Sequence, residues 1–152
     1  MSQKVIDLLN AARSRELTAI SQYMAQHYEL EDKDFGKLAK KMKEIAIQEM
    51  KHAEAFAERI LFLKGTPMYK PDADVKKGQD LTAMLTTDAK LENTAIKMYN
   101  EAAMICAAEN DQISKLLFEK ILGEEEEHLN FFENTEEHVK TLGAAYVATL
   151  AD

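Results

Sequence analysis

Apolar residues recur along this chain at the three-and-four spacing of a single helix face, in four long runs. The first predicted helix runs from about Gln3 to Leu30, with Leu9, Ala12, Ile20, Tyr23 and His27 on its stripe. The polar cluster Glu31-Asp32-Lys33-Asp34-Phe35-Gly36 ends it. The second runs from about Lys37 to Lys64 and turns Leu38, Met42, Ile45, Phe56, Ile60 and Leu63 inward, with Gly65 as a natural stop. The third starts near Asp80 and continues to about Glu109, with Leu85, Ala95, Tyr99, Ala102 and Cys106 on one face. After a turn at Asn110-Asp111, the fourth runs from about Gln112 to Lys140, with Leu117, Ile121, Leu122, Leu129 and Phe132 inward. Gly143 breaks it, and the apolar segment Ala144 to Leu150 predicts a short fifth helix.

Connection lengths set the topology. Two turns are short, so the first and second helices are antiparallel, as are the third and fourth. The one long connection, residues 65–79, holds both prolines, Pro67 and Pro71. A helix of about 28 residues is roughly 42 Å long, and this connection can reach roughly 50 Å when extended. It can cross the whole bundle and set the third helix parallel to the second. The expected fold is all-α: a four-helix bundle with a long crossover and a short fifth helix, in one domain, 1–152.

Composition changes this picture little. Only 5 Gly and 2 Pro disfavour a turn-rich β fold, and 46% apolar residues suffice for a core. A net charge of −8 argues against nucleic acid and anionic membrane as main partners, because phosphates need clustered Lys and Arg. The single cysteine, Cys106, cannot form an intramolecular disulfide, which fits a reducing cytoplasm. It reads as a small buried hydrophobe. No stretch suits a signal peptide or approaches the roughly 20 apolar residues of a bilayer span.

The chemistry lies on the inward stripes. Each holds groups foreign to an apolar core: Glu16 on the first helix, Glu49 and His52 on the second, Glu92 on the third, Glu125 and His128 on the fourth. Two of these pairs form E-x-x-H, Glu49-Met50-Lys51-His52 and Glu125-Glu126-Glu127-His128. Residues three apart share a helix face, so a Glu and a His so spaced can grip one ion. Four carboxylates and two imidazoles suit iron or manganese. One Glu from each of two helices plus E-x-x-H from each of the other two is the ligand set of di-iron carboxylate bundles. An offset of 76 residues carries Glu16, Glu49 and His52 onto Glu92, Glu125 and His128, so the pattern repeats in both halves of the chain. Every ligand-bearing helix carries its Glu near its midpoint, so the six groups meet at one level.

A lone inward Glu is often a salt-bridged residue, and a single E-x-x-H is weak. Six such groups are harder to explain that way. The stripes offer no Lys or Arg to pair them, and burying several carboxylates without counter-charge is very costly. Two divalent ions would balance four carboxylates.

With these motifs in place, the chain resembles the bacterioferritin family of ferritin-like bundles along nearly its whole length. The double E-x-x-H, Glu49 to Glu54, Glu58 to Leu63, and Gln22-Tyr23 after Glu16 carry the resemblance. It implies an intrasubunit ferroxidase centre holding two irons, with Glu49 and Glu125 bridging. Glu16 and Glu92 would be terminal ligands, with His52 and His128 one on each iron, and Tyr23 beside the site. It implies a haem held between twofold-related subunits by Met50, which lies about 100° around the helix from Glu49. Met50 shares a stripe with Ile47, Glu54 and Leu61, and Leu17, Ile20 and Met24 would line the same surface. The plainer reading of Met50 is a gap-filling interface methionine.

The resemblance further implies a 24-subunit shell storing ferric mineral, with the C-terminal segment at its fourfold axes. Haem would assist iron release, fed by a small redox partner such as a ferredoxin. The chain also departs from the family. Glu44 and Gln48 stand where some members carry a His and an Asp of an inner-surface iron site, and Phe131 and Phe132 where some have a Trp. The other glutamates of the Glu124 to Glu127 run read as a solvated or cavity-facing surface. His27 reads as a packed or hydrogen-bonded residue, and His138 as a helix-end residue. Two rivals remain. One is a rubrerythrin-like di-iron peroxidase, whose usual Cys-rich rubredoxin domain a single cysteine excludes here. The other is a non-enzymatic haem-binding helix-bundle protein.

Overall fold

The computed structural model describes residues Ser2 to Ala151; Met1 and Asp152, the ends of the expected 1–152 domain, lie outside the described residues. Five helices follow in order: α1 (Gln3–Asp32), α2 (Gly36–Phe62), α3 (Leu81–Ala108), α4 (Gln112–Leu142) and α5 (Ala144–Ala148). Each agrees with its sequence expectation to within a turn. Three helices start on side-chain caps: Ser2 Oγ accepts from Val5 N, Asp80 from Ala83 N and Asp111 from Ser114 N.

Hydrogen bonds fix the directions. Tyr23 reaches Glu92 while Tyr99 reaches Glu16, so α1 and α3 are antiparallel. His52 reaches Glu124 while His128 reaches Gln48, so α2 and α4 are antiparallel too. α1 and α2 pack along their lengths, as do α3 and α4. Helix α3 is therefore parallel to α2, as the long crossover requires.

The crossover is fastened to α1 by polar contacts. Asn10 binds the backbone of Thr66 and Met68, Arg13 the carbonyl of Met68, Thr18 the amide of Asp72, and Glu29 the amide of Gly78. Gln22 bonds both backbone groups of Lys76, each at 2.9 Å. Successive helix positions bind successive loop positions, so the segment runs alongside α1 and delivers the chain to the start of α3.

Two apolar clusters lie at opposite ends of the bundle, with the carboxylate level between them. One gathers Val5, Leu9, Phe56, Ile60, Tyr99, Cys106, Phe118 and Ile121 among others. Its counterpart gathers Tyr23, Leu30, Leu38, Met42, Ile45, Leu85, Phe132 and Leu150 among others. Some inward assignments need correction. Ile20, Leu117, Leu122 and Leu129 are only partly buried, while Phe118 is fully buried. The bundle's inward arc on α4 follows Ser114, Phe118, Ile121, Glu125, His128, Phe132 and Thr135, with Glu125 and His128 at its centre. Gly65 is not the left-handed stop of α2. That conformation falls on Lys64 (φ 69°), and Gly65 is needed because a Cβ there would meet Ile6 Cγ2 at 2.8 Å.

Candidate metal centre

Glu16, Glu49, His52, Glu92, Glu125 and His128 are all buried. The fold brings them into two groups whose ligand atoms lie within 4.8 Å of one another: Glu16, Glu49, His52 and Glu125, then Glu49, Glu92, Glu125 and His128. Glu49 and Glu125 belong to both groups. His52 Nδ1 lies 3.1 Å from Glu49, 3.2 Å from Glu125 and 3.5 Å from Glu16. His128 Nδ1 lies 3.3 Å from both Glu49 and Glu125 and 3.6 Å from Glu92. The two rings stack with centroids 6.2 Å apart.

The electrostatics of this cluster are strained. Burial pushes Glu92 up to about 8, helped by the charge of Glu125. Burial raises Glu16 as well, with Glu125 again adding to it, and raises Glu49, with Glu16, Glu92 and Glu125 adding to it. Burial alone would depress His128, but the carboxylates of Glu125, Glu49 and Glu92 hold it up to about 12. His52 is raised in the same way by Glu125, Glu16 and Glu49. Glu125 goes against its own burial and is held low by His128 and His52.

Inward-facing atoms are left over. Glu16 Oε2, both oxygens of Glu49, Glu92 Oε2, Glu125 Oε1 and the Nδ1 atoms of His52 and His128 are buried with no hydrogen-bond partner. Buried polar atoms are rarely left so. Seven such atoms converging at one level are the donor set that two divalent ions would satisfy. Hard carboxylate oxygens and borderline imidazoles fit iron.

Residues around the ligands hold them in place. Tyr23 donates to Glu92 Oε1 at 2.6 Å and Tyr99 to Glu16 Oε1 at 2.7 Å, leaving the other oxygen of each carboxylate free for an ion. Each tyrosine packs on a phenylalanine, Tyr23 on Phe132 at 5.4 Å and Tyr99 on Phe56 at 5.7 Å. His52 Nε2 meets Glu124 Oε2 at 2.5 Å, and His128 Nε2 meets Gln48 Oε1 at 2.6 Å. The sequence alone shows Tyr99 as an apolar-face residue, Glu124 as part of a solvated or cavity-facing run, and Gln48 as the residue standing where some family members carry an Asp of an inner-surface iron site. The 76-residue offset points to Tyr99 as the counterpart of Tyr23; it pairs Gln48 with Glu124 but gives neither a role, which comes only from the histidine each one faces.

The remaining histidines behave as sequence context suggests. His27 Nδ1 binds the carbonyl of Ala39 at 2.6 Å, and exposed His138 packs on Tyr146. Cys106 is fully buried, and burial pushes its thiol up to about 11. Met50 lies on the outer surface at 44% exposure, with Ile47 and Leu61 of the same helix also exposed. Leu17, Ile20 and Met24 are partly exposed on α1. Among the described residues no helix is long and apolar enough to cross a membrane.

Comparison with known proteins agrees with this geometry. Residues 6–142 match the family model described as a ferritin-like domain. The chain is 46% identical to the bacterioferritin of Desulfovibrio desulfuricans, covering 97% of this chain and 83% of that one. It is 42% identical to the bacterioferritin of Rhodobacter capsulatus, over 86% of this chain and 81% of that one. The Desulfovibrio desulfuricans crystal structure, described with a di-iron site in different catalytic states, superposes with a TM-score of 0.95 over 97% of this chain and 86% of that chain. The Rhodobacter capsulatus structure, described with a metal-free dinuclear site and a haem iron, superposes with a TM-score of 0.96 at 38% identity, over 100% of this chain and 96% of that chain. With the fold, the six converging carboxylate and imidazole side chains and relatives of this closeness in agreement, the chain belongs to the ferritin-like family and, within it, to the bacterioferritins.

Proposed function

We propose that this chain is a bacterioferritin subunit that binds two Fe(II) at the buried centre, oxidises them to Fe(III) and passes them to storage. The observation that carries this is the set of seven unpartnered, buried ligand atoms on six side chains at one level of the bundle. Iron is the substrate. Glu16 and His52 would hold one ion, Glu92 and His128 the second, and Glu49 and Glu125 would bridge both. With both ions on shared carboxylates, O2 or H2O2 can take electrons from the pair together. Binding at Nδ1 must displace any proton there, because only the deprotonated nitrogen has a lone pair for the metal. Tyr23 and Tyr99 keep Glu92 and Glu16 turned inward while the charge at the centre changes. Low exposure of all six ligands limits water at the reacting ions.

The family supports assembly as a homo-oligomer, and we place the subunit in a 24-subunit shell built from twofold dimers, with ferric mineral inside and a cytoplasmic location. The exposed thioether of Met50 is free to ligate, facing away from the centre. It would help hold a haem shared with a second subunit, and such a haem would carry electrons for iron release. A ferredoxin-type protein is the expected electron source.

The test is direct. Purified protein should run as a shell-sized particle, and Fe(II) in air should produce ferric absorbance. Glu49→Ala and Glu125→Ala should slow that oxidation by more than the roughly 10–100-fold that losing a supporting residue costs. Unchanged oxidation in both variants would sink the ferroxidase reading. A small oligomer that turns over H2O2 without storing iron would favour the rubrerythrin-like peroxidase.

A further inference from the structure

The two ion positions have matching ligands but unlike supports. With a metal at Nδ1, each imidazole keeps its proton on Nε2 and donates it outward. His52 donates to a carboxylate, Glu124 Oε2, at 2.5 Å. His128 donates to an amide, Gln48 Oε1, at 2.6 Å. The two acceptors are counterparts under the 76-residue offset, and the hydrogen bonds match in atom type and length. The charge of the acceptor is the difference between them. Each acceptor also comes from the helix facing its histidine, so each ion position depends on both halves of the bundle.

We infer that Glu124 makes the His52 position the tighter of the two, and that Gln48 leaves the His128 position the weaker. An anionic acceptor draws the Nε2 proton outward and puts electron density on Nδ1, which strengthens the metal bond and favours the more highly charged ion. A neutral amide does this less. The first divalent ion therefore enters beside Glu16 and His52, and the second beside Glu92 and His128. The pair fills in order, and the last ion to bind is also the first to leave. Glu124 and Gln48 act through the histidines, as positioning residues that set this order. Buried Asp88, which lies close enough to raise Tyr23 beside Glu92, has the alanine Ala12 as its counterpart, so it too can separate the positions. Exchanging residues 48 and 124 isolates their part.

This inference rests on the di-metal reading, and its test separates the two. Co(II) is titrated without oxygen into the assembled protein and followed by its visible absorption. Glu92→Ala leaves the Glu16–His52 position as the competent one, and Glu16→Ala leaves the Glu92–His128 position. Cobalt should bind the Glu92→Ala protein roughly 10–100-fold more tightly than the Glu16→Ala protein. Adding Glu124→Gln should weaken binding in the Glu92→Ala background alone. Adding Gln48→Glu should strengthen it in the Glu16→Ala background alone. Equal affinities in the two backgrounds, or a Glu124→Gln effect of the same size in both, would overturn the inference and leave the metal centre standing. No cobalt bound in any variant or in the parent would overturn both. If an alanine variant fails to fold by circular dichroism, Glu16→Gln and Glu92→Gln keep the packing and give the same comparison.

Discussion

The α1–α2 and α3–α4 halves agree where the chemistry of a metal pair requires it and part where only packing is at stake. Across the 76-residue offset the ligands match one for one, and so do Leu9 with Leu85, Ala19 with Ala95, Tyr23 with Tyr99, Ile45 with Ile121 and Phe56 with Phe132. These residues face the centre or pack directly above and below it. Elsewhere the halves diverge. Gln22 holds the crossover while its counterpart Met98 has no such loop to hold. Exposed Met50 corresponds to exposed Glu126, so any haem contact is confined to one half. Ala12 corresponds to Asp88, and Gln26 to Ala102. A shared pair of metal ions would constrain both halves equally, whereas an outer surface or a loop constrains only the half that carries it.

Three measurements probe that contrast. The largest effect belongs to the matched phenylalanines. Phe56→Ala and Phe132→Ala each open a cavity against a tyrosine that hydrogen-bonds one of the central glutamates and should each cost about 3–5 kcal/mol in denaturant unfolding. Similar losses from both would support the match; a difference of more than half would break it.

Asp88 comes next. It is buried, its Oδ1 has no hydrogen-bond partner, and burial raises its carboxyl well above the usual range, against a smaller lowering by the nearby Gln26 amide. A carboxyl that ionises less readily when folded than when unfolded takes stability away as pH climbs above its unfolded value. The protein should lose stability from this group at up to about 1.4 kcal/mol per pH unit above pH ~4, until the folded carboxyl itself ionises. Asp88→Asn should remove that loss, so its stability relative to the parent should rise with pH in this window. Parallel stability curves for the two proteins would contradict it.

The smallest effect is at Gln22. Replacing it with Ala frees both backbone groups of Lys76 and should cost about 1–2 kcal/mol. Amide exchange should quicken in residues 66–78 and not in α3. Met98→Ala, its counterpart, should leave exchange in that loop unchanged.

Legibility varied with what each residue touches. Helix number, the crossover and all six candidate ligands could be read directly, because helical spacing and E-x-x-H are local patterns. Phe118 escaped because the stripe on α4 was phased on leucines. The structure phases it on Glu125 and His128, which must face inward whatever their polarity. Leu122 and Leu129 are therefore rotated toward the edge. Glu124 was hidden in a run of four glutamates with nothing local to distinguish it. Only its position opposite His52, 72 residues away, gives it a role.

The linear chain by itself determined the helices, their order, the parallel setting of α2 and α3, and a donor set suited to two divalent ions. Those follow from periodicity, loop reach and ligand chemistry, which act over a few residues or a known length. The tertiary structure alone decided which second oxygen each tyrosine occupies, which acceptor each histidine meets, and how the crossover is tied to α1. Such contacts join residues 54 to 83 positions apart, and they exist only after packing has set each helix's rotation.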